Sequence, residues 1–188
     1  MLELDSFQRA CLYASILTFF EKLAGMEKTP PEITAFFESL GVELPEFRGE
    51  DLEQAASYLK MFRASVVRLD VSPQARAHLP FHIKSFMDGH GYTAAEPFDG
   101  IISMTAFAAR LAIDAYTAHL DDGEKALKLE RILHRFNKTH LIPMLANARP
   151  QNQKLHEALR RIVRLVAEDS GMLLKQLTST KNRHRSQP

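Results

Sequence analysis

Eight histidines invite a search for metal ligands, and His78 and His82, four residues apart, have the spacing that puts two imidazoles on one face of a helix. Zinc needs a third protein ligand, and neither an HExxH nor a CxxC pattern supplies one. The pair also straddles Pro80, which disturbs the turn between them, so no metal and no cofactor is expected. His90, His119, His134 and His140 show no ligand spacing and read as surface or capping residues. Asp121 and Asp122 follow His119 and read as a helix-ending loop.

Arg110 and Asp114 stand four apart in the most apolar stretch of the chain. Buried charges persist only when paired. The spacing therefore predicts either a buried structural ion pair or the polar edge of a ligand pocket, with an acid and a base in one cleft. No serine or cysteine has the local pattern of an activated nucleophile, and the glycines form no phosphate loop.

A third kind of chemistry is electrostatic. Net charge is +1, yet residues 1–123 hold 10 Lys and Arg against 18 Asp and Glu, a net of −8, while residues 124–188 hold 14 against 5, a net of +9. Such asymmetry points to a polyanion or an acidic partner at the basic end. Within LHEALRRIVRLVAEDSGMLLKQL, Leu155, Leu159, Ile162, Val166, Leu173 and Leu177 share one helical face. Arg161 and Arg164 project from the opposite side, with Arg160 toward one flank. Glu157 precedes Arg161 by four and Glu168 follows Arg164 by four, so local pairs cancel part of the field. Lys181, Arg183 and Arg185 have no acidic neighbour, and Lys125, Lys128, Arg131, Arg135 and Lys138 have only Glu124 and Glu130.

The elements that must carry these residues are helices, because apolar residues recur at helical spacing and the alternation of strands is nearly absent. We expect an all-α protein, a compact bundle of six or seven helices over residues 1–177 with a possible sub-boundary at 88–100. A flexible, disordered basic tail should follow over 178–188. The first helix should span about 5–24, and the second should start from a capping box of Thr29 and Glu32 with Pro30 as first helical residue. A third should run from about 50 to 68, led by Glu50, Asp51 and Glu53 at the positive dipole end. The fourth should open at Ser72 and Pro73 and be split or kinked by Pro80. Residues 88–100, DGHGYTAAEPFDG, are the richest in turn formers and read as a hinge. Asp99 should cap a fifth, most enclosed helix over 100–120. A sixth is expected at about 124–137, with Pro143 breaking up LIPML, and a seventh over about 150–177.

The single Cys11 closes no intrachain disulfide, Glu3 and Asp5 are unlike the basic start of an export signal, and Arg110 and Asp114 make a membrane span costly. These features suit a cytoplasmic protein without membrane contact. The segment TPPEITAFFESLGVELPEF faintly resembles a helix-turn-helix, but Glu43 and Glu46 would repel DNA where attraction is needed.

The functional expectation is a non-catalytic subunit of a nucleic-acid-associated assembly, touching the phosphate backbone through Arg160, Arg161, Arg164, Lys181, Arg183 and Arg185. Without tryptophan, and with Tyr13, Tyr58, Tyr92 and Tyr116 scattered, no base-stacking platform is foreseen. Two alternatives stand beside it: a protein-interaction or homo-oligomeric adaptor without nucleic-acid binding, and a small-ligand binder or enzyme built on Arg110 and Asp114. The first requires the scattered cations to gather on one side of the fold.

Overall fold

Asp5 opens α1, Ser6–Ala24, with a reciprocal cap: its carboxylate accepts from Gln8 N at 2.7 Å, and Gln8 Oε1 accepts from Asp5 N at 3.1 Å. The computed structural model describes residues 3–93 and 95–185, with side chains through residue 179. The remaining helices are α2 (Pro31–Ser39), α3 (Glu50–Met61), α4 (Ala64–Val67), α5 (Pro73–Asp88), α6 (Ile101–Asp121), α7 (Gly123–Phe136), α8 (Ile142–Ala146) and α9 (Gln153–Arg185), with a π turn over Asn137–Leu141 between α7 and α8. The protein is all α, and no named strand occurs among the described residues. None of its described helices is long and apolar enough to cross a membrane.

α6 is the expected centre. It packs most extensively against α1 and α7, and Met104, Ala108, Leu111 and Ala112 are fully enclosed. Alanines at the contact let the helix axes approach closely. One hydrophobic cluster then runs from Leu4 to Leu177. A second layer of aromatic rings gathers where α5, α6 and α7 meet: Phe107 meets Phe136 edge-on with ring centres 4.7 Å apart, and Phe86 lies 5.7 Å from Phe136. Edge-to-face contacts of this kind add about 0.5–1.5 kcal/mol each beyond area burial.

Several expected boundaries move, each for a local physical reason. The helix expected over 50–68 is two. The chain breaks at Phe62 and Arg63, where an isolated antiparallel bridge joins Arg63 to Gly100: Ile101 N donates to the Phe62 carbonyl at 3.1 Å and Ala64 N to the Asp99 carbonyl at 2.9 Å. Asp99 consequently caps α4, accepting from Ser65 N at 2.9 Å, instead of α6. α6 starts behind Gly100 without a side-chain cap. Glycine is required there, because a Cβ would come within 2.9 Å of Pro97 Cγ and 3.0 Å of the Pro97 carbonyl.

The box expected from Thr29 and Glu32 does not form, since α2 begins at Pro31 with Pro30 as its cap residue. A residue before proline is held out of the helical region, and Pro30, at ψ 142°, obeys that rule. Pro80 does not split α5, which passes through it unbroken; the carbonyl deprived of a donor is that of Arg76, on a poorly covered part of the helix. Pro143 does not break up its segment either. It falls in the first turn of α8, which continues from the π turn, and the Thr139 carbonyl four residues before it accepts from Arg68 at 3.2 Å instead. α9 starts at Gln153, not Pro150, because Asn152 Oδ1 accepts from Leu155 N at 2.9 Å. The segment read as a hinge is tied down in the described residues by Tyr92 O–H to Asp114 at 2.7 Å and Ser103 O–H to the Ala95 carbonyl at 2.7 Å. At the other end, α9 continues through Thr178 and Ser179, whose hydroxyls bond back to Lys175 and Leu174 carbonyls. The rest of the tail expected over 178–188 lies outside the residues whose side chains are described.

Candidate anion-docking face

Two stretches with few carboxylates come together in the fold. Residues 60–87 carry Lys60, Arg63, Arg68, Arg76 and Lys84 against a single acid, Asp70, and residues 124–138 carry Lys125, Lys128, Arg131, Arg135 and Lys138 against Glu124 and Glu130. Their junction is a set of direct contacts. The Arg135 guanidinium lies 5.7 Å from the centre of the Phe86 ring of α5, and the His82 ring lies tilted against His140 of the π turn, with centres 5.1 Å apart. Arg68, just past α4, donates to the Thr139 carbonyl at 3.2 Å. The His90 imidazole, beyond the end of α5, is shifted below its usual pKa by burial and then by the charges of Arg135 and Lys128. Like charge close enough to be felt is the electrostatic mark of one positive face.

On α7 the pattern is that of an amphipathic helix. Ala126, Glu130, Leu133 and Phe136 point inward, while Lys128, Arg131 and Arg135, continued by Lys138 of the π turn at intervals of three, four and three, form an exposed outer row. Among the described residues none of these four cations is held by a carboxylate. Three of the acids nearby in sequence are used elsewhere. Arg68 grips Asp70 with two bonds of 2.8 Å, Lys84 takes Asp88, and Glu130 is buried.

The arginines of α9 have a different setting. The i,i+4 pairs expected from the sequence both form: Arg161 binds Glu157, and Arg164 Nε lies 2.8 Å from Glu168. Arg161 also donates to the Glu43 carbonyl in the loop after α2. With Leu40 and Val42 these residues line a shallow cleft of about 380 Å³, on surroundings that share no residue with the α5–α7 face. Arg160 is exposed. The side chains of Lys181, Arg183 and Arg185 fall outside the described residues.

Arg110 and Asp114 do pair, at 2.9 Å, but not in the interior: the Arg110 side chain is 65% exposed. The expectation of a buried pair is corrected by geometry. With α1 and α7 covering two sides of α6, the strip holding Arg110, Ile113, Thr117 and Leu120 is left facing solvent. Asp114 accepts a second bond from Tyr92 O–H, and burial followed by that carboxylate raises the tyrosine pKa. Around them lies an open cleft of about 760 Å³ with both signs of charge, from Lys125 to Asp121 and Asp122. This arrangement pins the 88–100 loop. His78 is exposed, His82 sits against His140, and among the described residues no three metal-binding side chains converge.

Three of the buried charged groups, Arg9, Glu130 and Asp169, belong to a lattice the sequence did not announce. Arg9 of α1 is 2% exposed and lies between two carboxylates, Asp169 of α9 at 2.8 Å and Glu130 of α7 at 3.3 Å. It also donates to the Leu4 carbonyl and Gln176 Oε1, both at 3.2 Å. Tyr13 O–H donates to Asp169 at 3.1 Å and accepts from Asn137 Nδ2 at 2.6 Å. His119 Nε2 of α6 lies 3.1 Å from Glu130. Burial pushes the Asp169 carboxyl up, while Arg9 and the Tyr13 hydroxyl pull it down. Every bond except the local one to Leu4 joins one helix or turn to another, so the lattice fixes how the elements sit together.

Sequence reading located the cations of α7 and missed those of residues 60–87, because they were counted within a region of net negative charge. The available signal was local: residues 71–87 contain no aspartate or glutamate. Compared with known protein families and with curated proteins, the sequence matches none of them.

Proposed function

We propose that this protein is a non-catalytic docking subunit that binds an anionic macromolecule on its α5–α7 face. The observation that carries this reading is the unpaired row Lys128, Arg131, Arg135 and Lys138 lying against a helix that itself has no acid before Asp88. Four cations that satisfy no carboxylate among the described residues offer their field to a partner, speed its arrival, and make binding sensitive to salt. Both a phosphate backbone and an acidic protein surface have this chemistry. The α9 arginines, engaged by Glu157, Glu168 and the Glu43 carbonyl, add less. A non-catalytic role agrees with the use made of the perturbed groups: Tyr13 and Asp169 hold the interior together, and Tyr92 holds a loop.

The test is fluorescence anisotropy with labelled poly-glutamate and a labelled single-stranded oligonucleotide, using the full chain. Binding of at least one of them is expected at low salt, weakening by roughly tenfold or more over a fourfold rise in salt. Changing Lys128, Arg131 and Arg135 together to Glu should abolish it, while changing Arg160, Arg161 and Arg164 together to Gln should leave most of it. Absence of binding to both polymers, or equal binding by the charge-reversed variant, overturns the proposal.

A further inference from the structure

We infer that the anionic partner is an acidic amphipathic segment of another protein, docked across α4 and α5 beside the π turn with Phe81 and Leu69 as its apolar anchors. This rests on the docking-subunit reading and names its partner class. The same stretch that supplies cations also exposes large apolar side chains: Met61 is 67% exposed, Val66 58%, Leu69 72% and Phe81 73%. Four such residues within 21 positions are a concentration the rest of the described surface does not repeat. Their place in the fold is fixed by their neighbours. Leu69 lies between Arg68, bonded to the Thr139 carbonyl, and Asp70, bonded to Asn147 at 3.1 Å. Phe81 precedes His82, whose ring lies tilted against His140. Both anchors therefore flank the π turn, which itself carries Lys138 and directly follows the Arg135 turn of α7.

α5 is poorly covered. Ile83 and Met87 are its only buried residues, and on a helical wheel Phe81 falls about 160° from Ile83, facing directly away from the core. A helix that turns a large aromatic ring straight into solvent, next to exposed Leu69 and Val66 and among basic side chains, is half of an interface, and the missing half must bring large apolar groups together with carboxylates. Phosphate backbone satisfies only the second demand: it could use the cations and the ring of Phe81, but offers nothing to Leu69 or Val66. Exposed apolar clusters rimmed by charge mark protein contact sites.

Three labelled ligands separate the outcomes: a helical peptide with Glu and Leu on opposite flanks, poly-glutamate of equal charge, and a single-stranded oligonucleotide. The amphipathic peptide is expected to bind about tenfold or more tighter than poly-glutamate. Phe81→Ser with Leu69→Ser should remove that advantage and leave poly-glutamate binding unchanged; both sites are exposed, and unchanged helical circular dichroism and Tm will verify the fold. If poly-glutamate or the oligonucleotide binds as tightly as the peptide and ignores the double change, this inference falls while the docking-subunit reading stands. If nothing binds, both fall. A concentration-dependent dimer in sedimentation that the double change dissolves assigns the face to a second copy of this chain and also overturns the inference.

Discussion

Glu130 and Arg131 are consecutive residues of α7 and live in opposite surroundings. Glu130 is 6% exposed and tied to Arg9 and His119; Arg131 stands in solvent, unpaired among the described residues. The helical period separates them by 100°, enough to divide one element into a face that builds the molecule and a face free to meet another. The comparison extends to the whole protein. The buried charges of Arg9, Glu130 and Asp169 are crosslinks between elements distant in sequence, whereas the free ones gather where two acid-poor segments adjoin.

The sharpest way to break that contrast is to delete one charge of each kind. Asp169 has no exposed surface, bonds Arg9 and Tyr13, and leaves both short of partners when removed. Asp169→Ala is expected to cost about 3–5 kcal/mol, the usual penalty for breaking a buried ion pair by removing one partner, with Arg9 left to Glu130 alone. Arg131→Ala should fall within about 0.5 kcal/mol of wild type. Urea unfolding midpoints measure both. An Arg131 effect approaching that of Asp169 would make the outer row structural and remove the basis for assigning it to a partner.

A second contrast is between His140 and His82, whose rings touch. His82 is exposed, whereas His140 is 2% exposed, packed against Phe86 and Phe136, and faced by His82, Arg68 and Arg135. Burial, then those charges, lower its pKa from 6.5 to about 4. The folded protein therefore keeps His140 neutral where the unfolded chain takes up a proton. Its contribution is complete above pH 6.5 and is lost as pH falls through the window toward about 4. The linked loss is roughly 3 kcal/mol. Unfolding followed from pH 7 to 4 should show a shallower decline for His140→Leu than for wild type, and parallel curves would mean that the ring is not held neutral.

How much of this could be read in advance depends on whether the cause was local. The apolar face of α9, the stripe of α1 and the enclosure of α6 follow from spacing within one helix, and the Glu157–Arg161 and Arg164–Glu168 pairs follow from i,i+4 geometry. Asp99 was misassigned because the group it caps is 34 residues away at Ser65, a bond that no periodicity encodes. Arg9 gave no sign of burial for the same reason: its partners lie 121 and 160 residues further on. Charge was summed over blocks longer than the elements that present it, which hid the basic run of α5 within an acidic region. The cationic face is a property of how α5 meets α7, and only α7's half of it was visible beforehand.

The mildest contrast is between the cation rows of α7 and α9, and it is tested best by what Arg164 is worth to its own chain. The Arg164 side chain is 81% exposed and that of Glu168 36%, so water competes for both ends of their bond. A double-mutant cycle with Arg164→Ala and Glu168→Ala should return a coupling of about 0.3–0.5 kcal/mol that shrinks as salt rises. Such a value fits a solvated helix face balancing its own charges, whose stability matters little and whose field is already spent locally. A coupling above about 1 kcal/mol would make the α9 arginines a structural device comparable to Arg9. A coupling of zero would mean that Glu168 does not restrain Arg164, returning that arginine, beside exposed Arg160, to the cations available for a partner.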